Sequence, residues 1–114
     1  MKFLSTRDSS LRISGKEAIV KGISDDGGLF VPEYFPEFDI LENLGLSYTD
    51  LAHKVLSLYL TDFDSEDLLE IIEKSYSSFE DDIVNIAYKK DYCLELYHGR
   101  TSAFKDLSLI HISD

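Results

Sequence analysis

The chain contains almost no cysteine. Cys93 is the single thiol in 114 residues, so no intrachain disulfide can form and nothing calls for an oxidising compartment. Long apolar runs are missing as well. No segment approaches the roughly 20 apolar residues of a membrane span. At the amino terminus, MKFLSTRDSS has only Phe3-Leu4 as an apolar stretch, too short for a secretory signal. Basic residues are scarce: 11 Lys and Arg stand against 22 Asp and Glu, a formal net charge of -11. Such a surface repels a phosphate backbone or an anionic membrane, which argues against nucleic acid and membranes as partners. No internal repeat, no low-complexity tract and no histidine–carboxylate group with metal-ligand spacing occurs. These absences make a cytoplasmic protein without a metal the expectation.

Hydrophobic residues make up 44% of the chain, enough for a modest core and too many for a disordered tail. Phe3-Leu4 reads as a short edge strand. Ser14 with Glu17 three residues later is a capping-box pattern, and it predicts a helix over 15–21 with Ala18 and Ile19 inward and Gly22 ending it. Asp25-Asp26-Gly27-Gly28 is a turn signal. Leu29-Phe30-Val31 then reads as a strand that Pro32 stops or puts at an edge. Residues 33–46 read as irregular, with Pro36 and Gly45 as breakers.

Ser47 and Asp50 resemble a second capping box. Leu51, Ala52, Val55, Leu56 and Tyr59 recur at helical spacing and predict a helix over 48–60. Ser65 is the expected cap of the next helix, over 66–79, whose stripe is Leu68, Leu69, Ile72, Tyr76 and Phe79. The short acidic link Thr61–Asp64 suits an antiparallel pair. Asp81-Asp82 opens a less regular stretch. Cys93 to Tyr97 alternates as a strand should, His98 to Thr101 is a turn, and Thr101 or Ser102 can cap a helix starting at Ala103, with Phe104, Leu107 and Ile110 on one face.

The fold class is therefore α/β (mixed), and the set of elements is incomplete. A strand–turn–helix at the end looks like the opening of an α/β sheet, which suggests a fragment. The expected division is an amino-terminal helical and β domain over 1–80 and the start of a second domain over 81–114.

The informative stretch is Leu94-Glu95-Leu96-Tyr97-His98-Gly99-Arg100-Thr101-Ser102-Ala103-Phe104-Lys105-Asp106. Lys105 falls in the first turn of the predicted helix, where the dipole prefers acidic residues. A local rule broken at one position points to function. The positive end of a helix and burial beside Phe104 both favour the neutral amine, the form that attacks an aldehyde. Asp106 pulls the other way. Taken alone, a lysine near a helix start is most simply a solvated surface charge.

Three motifs change that. LELYHGRTSAFKD resembles the stretch around the cofactor lysine of threonine synthases, close to LELFHGPT-x-AFKD. Ser5-Thr6-Arg7 resembles the family's early STR motif, and Asp26 to Pro32 resembles its DGGL-aromatic-VP segment. They occur in the family's order, and the resemblance covers about residues 3 to 109. Asp8 departs from the usual glycine after STR, and Arg100 from the proline of HGPT. The resemblance implies a fold-type II pyridoxal 5'-phosphate (PLP) enzyme that converts O-phospho-L-homoserine and water to L-threonine and phosphate. It makes Lys105 both the cofactor-binding and the catalytic residue, through a Schiff base with PLP and then as a proton shuttle. The chain would be an amino-terminal piece ending just after that lysine.

Other residues read more simply. His98 satisfies a turn hydrogen bond, His53 is a partly exposed helix residue, and His111 lies in a tail, 111–114, that fits no family pattern. Cys93 is a small buried apolar residue, and Tyr48, Tyr59 and Tyr76 are core or subunit contacts. Asp25-Asp26-Gly27-Gly28 is too short and too acidic to cradle a phosphate. Two other readings stay open: a threonine-synthase-like phospholyase, and a non-catalytic acidic module whose two helices bind a partner. The oligomeric state is not legible.

Overall fold

The computed structural model describes residues 1–79 and 82–107. The chain divides into two compact units, residues 1–69 and 70–114. The expected positions of Ile110, His111 and the tail, and of Asp81 in the Asp81-Asp82 pair, lie outside the described residues.

In the first unit, β1 (Phe3–Ser5) pairs antiparallel with β2 (Phe30–Pro32), placing Phe3 opposite Pro32 and Ser5 opposite Phe30. Between them runs α1 (Gly15–Lys21). Its start is the expected capping box: Glu17 N–H donates to Ser14 Oγ at 3.2 Å, and Ser14 N–H donates to the Glu17 carboxylate at 2.8 Å. Two of the orphan donors of the first turn are thereby satisfied. Gly22 N–H closes the other end on Ala18 O at 2.9 Å. Ala18 is buried as expected, but Ile19 is 39% exposed. At 100° per residue, so short a helix cannot turn two adjacent side chains to the same surface.

Residues 33–46 are irregular apart from a 3-10 turn, Leu41–Asn43. Helix α2 (Tyr48–Tyr59) begins at Ser47, whose Oγ accepts the Asp50 N–H at 3.1 Å. The Asp50 carboxylate returns to the Ser47 hydroxyl at 2.6 Å instead of to its backbone, because an aspartate is one methylene shorter than the usual glutamate.

Helix α3 (Ser65–Tyr76) starts one residue earlier and ends three earlier than the periodicity predicts. Its cap is Asp64, not Ser65: Asp64 Oδ1 accepts the Glu66 N–H at 2.9 Å, and its carbonyl accepts the Leu68 N–H at 3.0 Å. Ser65 instead meets His53, whose Nε2 lies 3.1 Å from Ser65 Oγ and 3.0 Å from its carbonyl. Leu68 and Ile72, the centre of the expected stripe, are 4% and 3% exposed.

In the second unit, β3 (Asn85–Tyr88) pairs antiparallel with β4 (Tyr92–Glu95), Tyr88 facing Tyr92 and Asn85 facing Glu95. The sequence reading missed β3. Lys89-Lys90-Asp91 is a three-residue hairpin loop flanked by Tyr88 and Tyr92, and that was the available signal. The expected strand at 93–97 is shifted to 92–95, since pairing with β3 decides where it stops.

The first unit also joins two motifs that are about 20 residues apart. Ser5 Oγ lies 2.8 Å from both carboxylate oxygens of Asp26. Gly28 N–H donates to Asp26 Oδ1 at 2.8 Å, and Arg7 N–H donates to Ser5 Oγ at 3.1 Å. The Arg7 guanidinium donates to the Asp26 carbonyl at 3.1 Å. Thr6 and Leu29 exchange two bonds: Thr6 N–H to Leu29 O at 2.9 Å and Leu29 N–H to Thr6 Oγ1 at 3.0 Å. Ser5 is 3% exposed, so its buried hydroxyl is fully satisfied here.

Bonds from Gly28 N–H, then from the Ser5 hydroxyl, hold the Asp26 carboxyl below the ordinary aspartate range. A carboxyl depressed on folding stabilises above its unfolded value, and that contribution is lost as the pH falls through the folded one. Acid should therefore weaken the chain as the pH drops below about 4. Denaturant titrations at falling pH should show the stability gap between the native chain and Asp26→Asn closing there. A gap that stays constant to the acid limit contradicts this role of Asp26.

Candidate functional site

The site is built from the end of the β3–β4 hairpin onward. Strand β4 delivers Glu95, with Tyr97, His98 and the buried Gly99 close behind it in the chain. His98 Nε2 sits 3.0 Å from Glu95 Oε2. The Tyr97 and His98 rings stack with centroids 4.8 Å apart. Bonds from the Tyr97 hydroxyl, then from His98, hold the Glu95 carboxyl low, and that carboxylate pushes the Tyr97 phenol up. His98 was expected to bond within its turn. It bonds to a side chain because the i, i+3 spacing carries the ring back to Glu95.

The chain then reverses. Ser102 N–H donates to Gly99 O at 2.9 Å, which closes the expected turn. Ser102 takes φ of 53°, a left-handed conformation that side chains adopt at a cost, so it does not cap a helix. Among the described residues, the next element is a 3-10 turn, Phe104–Leu107, in place of the expected α-helix from Ala103.

Lys105 lies at the second position of that turn and is exposed. Phe104 is 67% exposed. The expected burial beside Phe104 is therefore absent among the described residues: successive side chains of a 3-10 turn point about 120° apart, so neither covers the other. The amine makes no hydrogen bond or ion pair among the described residues. Asp106, expected to favour the ammonium as a nearby carboxylate, faces away from Lys105 toward Thr101. Its side chain is 0% exposed, and Oδ2 accepts the Thr101 N–H at 2.8 Å.

Asp106 and Gly99 are the residues that sequence reasoning missed as a pair. A Cβ on Gly99 would lie 2.4 Å from Asp106 Cβ and 2.6 Å from its Oδ2. A glycine seven residues before a carboxylate is a weak signal, and only the loop geometry reveals the contact. Cys93 is on β4 as expected but is exposed: its side chain leaves a sheet face, which pairing with β3 does not cover. No helix among the described residues is long and apolar enough to cross a membrane.

Residues 2–76 match the family model described as the threonine synthase N terminus. The threonine synthase of Saccharomyces cerevisiae is 40% identical over 121 residues, covering 94% of this chain and 24% of that protein. The crystal structure of PLP-bound threonine synthase from Brucella melitensis superimposes with a TM-score of 0.86 at 31% identity, over 94% of this chain and 25% of that one. The yeast threonine synthase structure gives 0.85 at 36% identity, over 97% and 25%. The chain thus spans about a quarter of the length of the relatives it matches. Neither the helical interaction module nor the phospholyase reading is favoured by these matches.

Proposed function

The chain belongs to the threonine synthase family, and on that premise we propose that Lys105 is its cofactor lysine in the conversion of O-phospho-L-homoserine and water to L-threonine and phosphate. Residues 1–80 form the amino-terminal domain in this reading, and 81–114 open the cofactor domain. The carrying observation is the Lys105 amine itself, exposed and without a partner among the described residues, immediately before the buried Asp106.

Of the groups that would hold PLP, this chain supplies the primary amine that suits its aldehyde. Lys105 would hold it through the ε-amine, and the cradle of Gly99 and Asp106 fixes the backbone that carries the amine. When bound, PLP supplies an electron sink for carbanions. The work of this chain is to orient that group and to carry a proton at Lys105 Nζ once the amine is free. A small polar substrate and a single free thiol suit the cytoplasm.

The direct test is Lys105→Ala in the holoenzyme, this chain continued to the full length of its relatives, with phosphate release as the readout. The 114 residues alone contain no glycine-rich phosphate loop. By themselves they should neither release phosphate from O-phospho-L-homoserine nor develop the long-wavelength absorbance of bound PLP. Either signal from the isolated chain refutes that expectation.

A further inference from the structure

The loop that carries Lys105 is tied at both ends by one side chain. Asp106 is wholly buried, although it lies in a single exposed turn beside the exposed Phe104 and Lys105. Its Oδ2 accepts the Thr101 N–H at 2.8 Å across five residues. Its Cβ packs onto the bare Cα of Gly99, where any side chain would collide: the nearest three atoms to an added Cβ are Asp106 Cβ at 2.4 Å, Oδ2 at 2.6 Å and Cγ at 2.8 Å. Ser102 N–H returns to Gly99 O at 2.9 Å, and Asp106 N–H to Ala103 O at 3.2 Å. The loop is thus closed three times within eight residues, and Ser102 is held left-handed inside it. Strained backbone of this kind persists only where surrounding contacts over-determine it.

The second oxygen, Oδ1, is buried and accepts no hydrogen bond among the described residues. Buried carboxylate oxygens without partners are rare, and one that persists calls for a reason. The lock uses one acceptor, Oδ2, on the Thr101 N–H. Asp106 adjoins Lys105, so fixing its Cα and side chain fixes the direction in which the lysine stem leaves the backbone.

We infer that Asp106 is a positioning residue: its buried carboxylate, seated on Gly99 and bonded to Thr101 N–H, locks the 99–106 loop so that the Lys105 amine is held where it reacts. The inference rests on the reading of Lys105 as the cofactor lysine. A misplacement of about 1 Å at a reacting group can cost about 10²-fold in rate.

The experiment compares Asp106→Ala, Asp106→Asn and Gly99→Ala in the holoenzyme. Three readouts are taken: kcat, KM for O-phospho-L-homoserine, and the PLP fixed on Lys105 by borohydride reduction and located by peptide mass spectrometry. Asparagine keeps an acceptor for Thr101 N–H and should hold kcat within about threefold, whereas alanine at either position should lower kcat about 10²-fold with KM nearly unchanged. Label at Lys105 should fall in parallel. A folded Asp106→Ala enzyme with native kcat and native labelling overturns the inference. So does an asparagine variant as damaged as the alanine one, because charge and not loop geometry would then be at work. Should neither alanine variant fold, the asparagine variant decides: a kcat outside the window of about threefold overturns the inference. Thr101 amide exchange in the unmutated protein gives a further check, since an unprotected amide there rules out the lock. An inactive Lys105→Ala enzyme beside a normal Asp106→Ala one sinks only this inference; an active Lys105→Ala enzyme sinks the underlying reading.

Discussion

Replacing Lys105 by alanine should reduce turnover of the holoenzyme by about 10²–10⁴-fold from the loss of proton transfer alone, with a further loss from weaker cofactor retention. The fold should survive, because the side chain is exposed and bonds to nothing among the described residues. Far-UV circular dichroism should therefore match the unmutated protein. Lys105→Arg separates charge from chemistry. Arginine keeps the positive charge, but its guanidinium stays protonated and cannot condense with an aldehyde. Both variants should be equally inactive, and borohydride should fix no PLP at position 105. Full turnover in either one removes Lys105 from the reaction.

The largest stability effect is expected at Gly28→Ala. An added Cβ would lie 2.1 Å from Ser5 Oγ, 2.9 Å from Asp26 Oδ1 and 3.1 Å from Arg7 N. These atoms are the hub that ties β1 to the turn before β2, so none can retreat without breaking a bond to another. Overpacking costs about 1–3 kcal/mol, and leaving a buried donor or acceptor unpaired costs about as much again. A destabilisation of about 3 kcal/mol corresponds to a Tm lower by about 12 °C or more. Ser5→Ala removes the nearest obstruction. The double variant Ser5→Ala/Gly28→Ala should thus be less destabilised than the two single changes added together, as expected of residues in contact. Simple additivity, or a Gly28→Ala chain that melts with the unmutated one, would show that the hub does not hold the strands together.

Several elements were legible because their signals are local. Ser14 and Glu17 lie within one turn of each other, and a capping box needs nothing else, so α1 came out with its bounds. The Leu68–Ile72 stripe is likewise a property of spacing, and it became the buried face of α3. The misses have a common cause. Asp64 displaced Ser65 as a cap because the His53 ring claimed Ser65, a choice made by a residue twelve positions away. Strand β3 is only four residues, too short to show a period of its own, and exists through pairing with β4. Lys105 was expected to be buried beside Phe104, and both are exposed because successive side chains of a 3-10 turn diverge.

The candidate site divides in the same way. Lys105 was readable as a motif because the residues around it lie consecutively in the chain. Its support was not. Asp106 was read as a charge acting on its neighbour, yet it faces away, toward Thr101 and Gly99. The junction of Ser5-Thr6-Arg7 with Asp26-Gly27-Gly28 was visible only as two separate motifs.

The sequence by itself determined the family, the position of the candidate reactive amine and the elements whose caps and periodicity lie within a few residues. Tertiary structure alone decided what Asp26, Gly28, Gly99 and Asp106 do. Their roles depend on close contacts between segments that the chain brings together by folding back. Spacing along a sequence carries helix and strand periods, but not which carboxylate will meet which glycine once the backbone has turned.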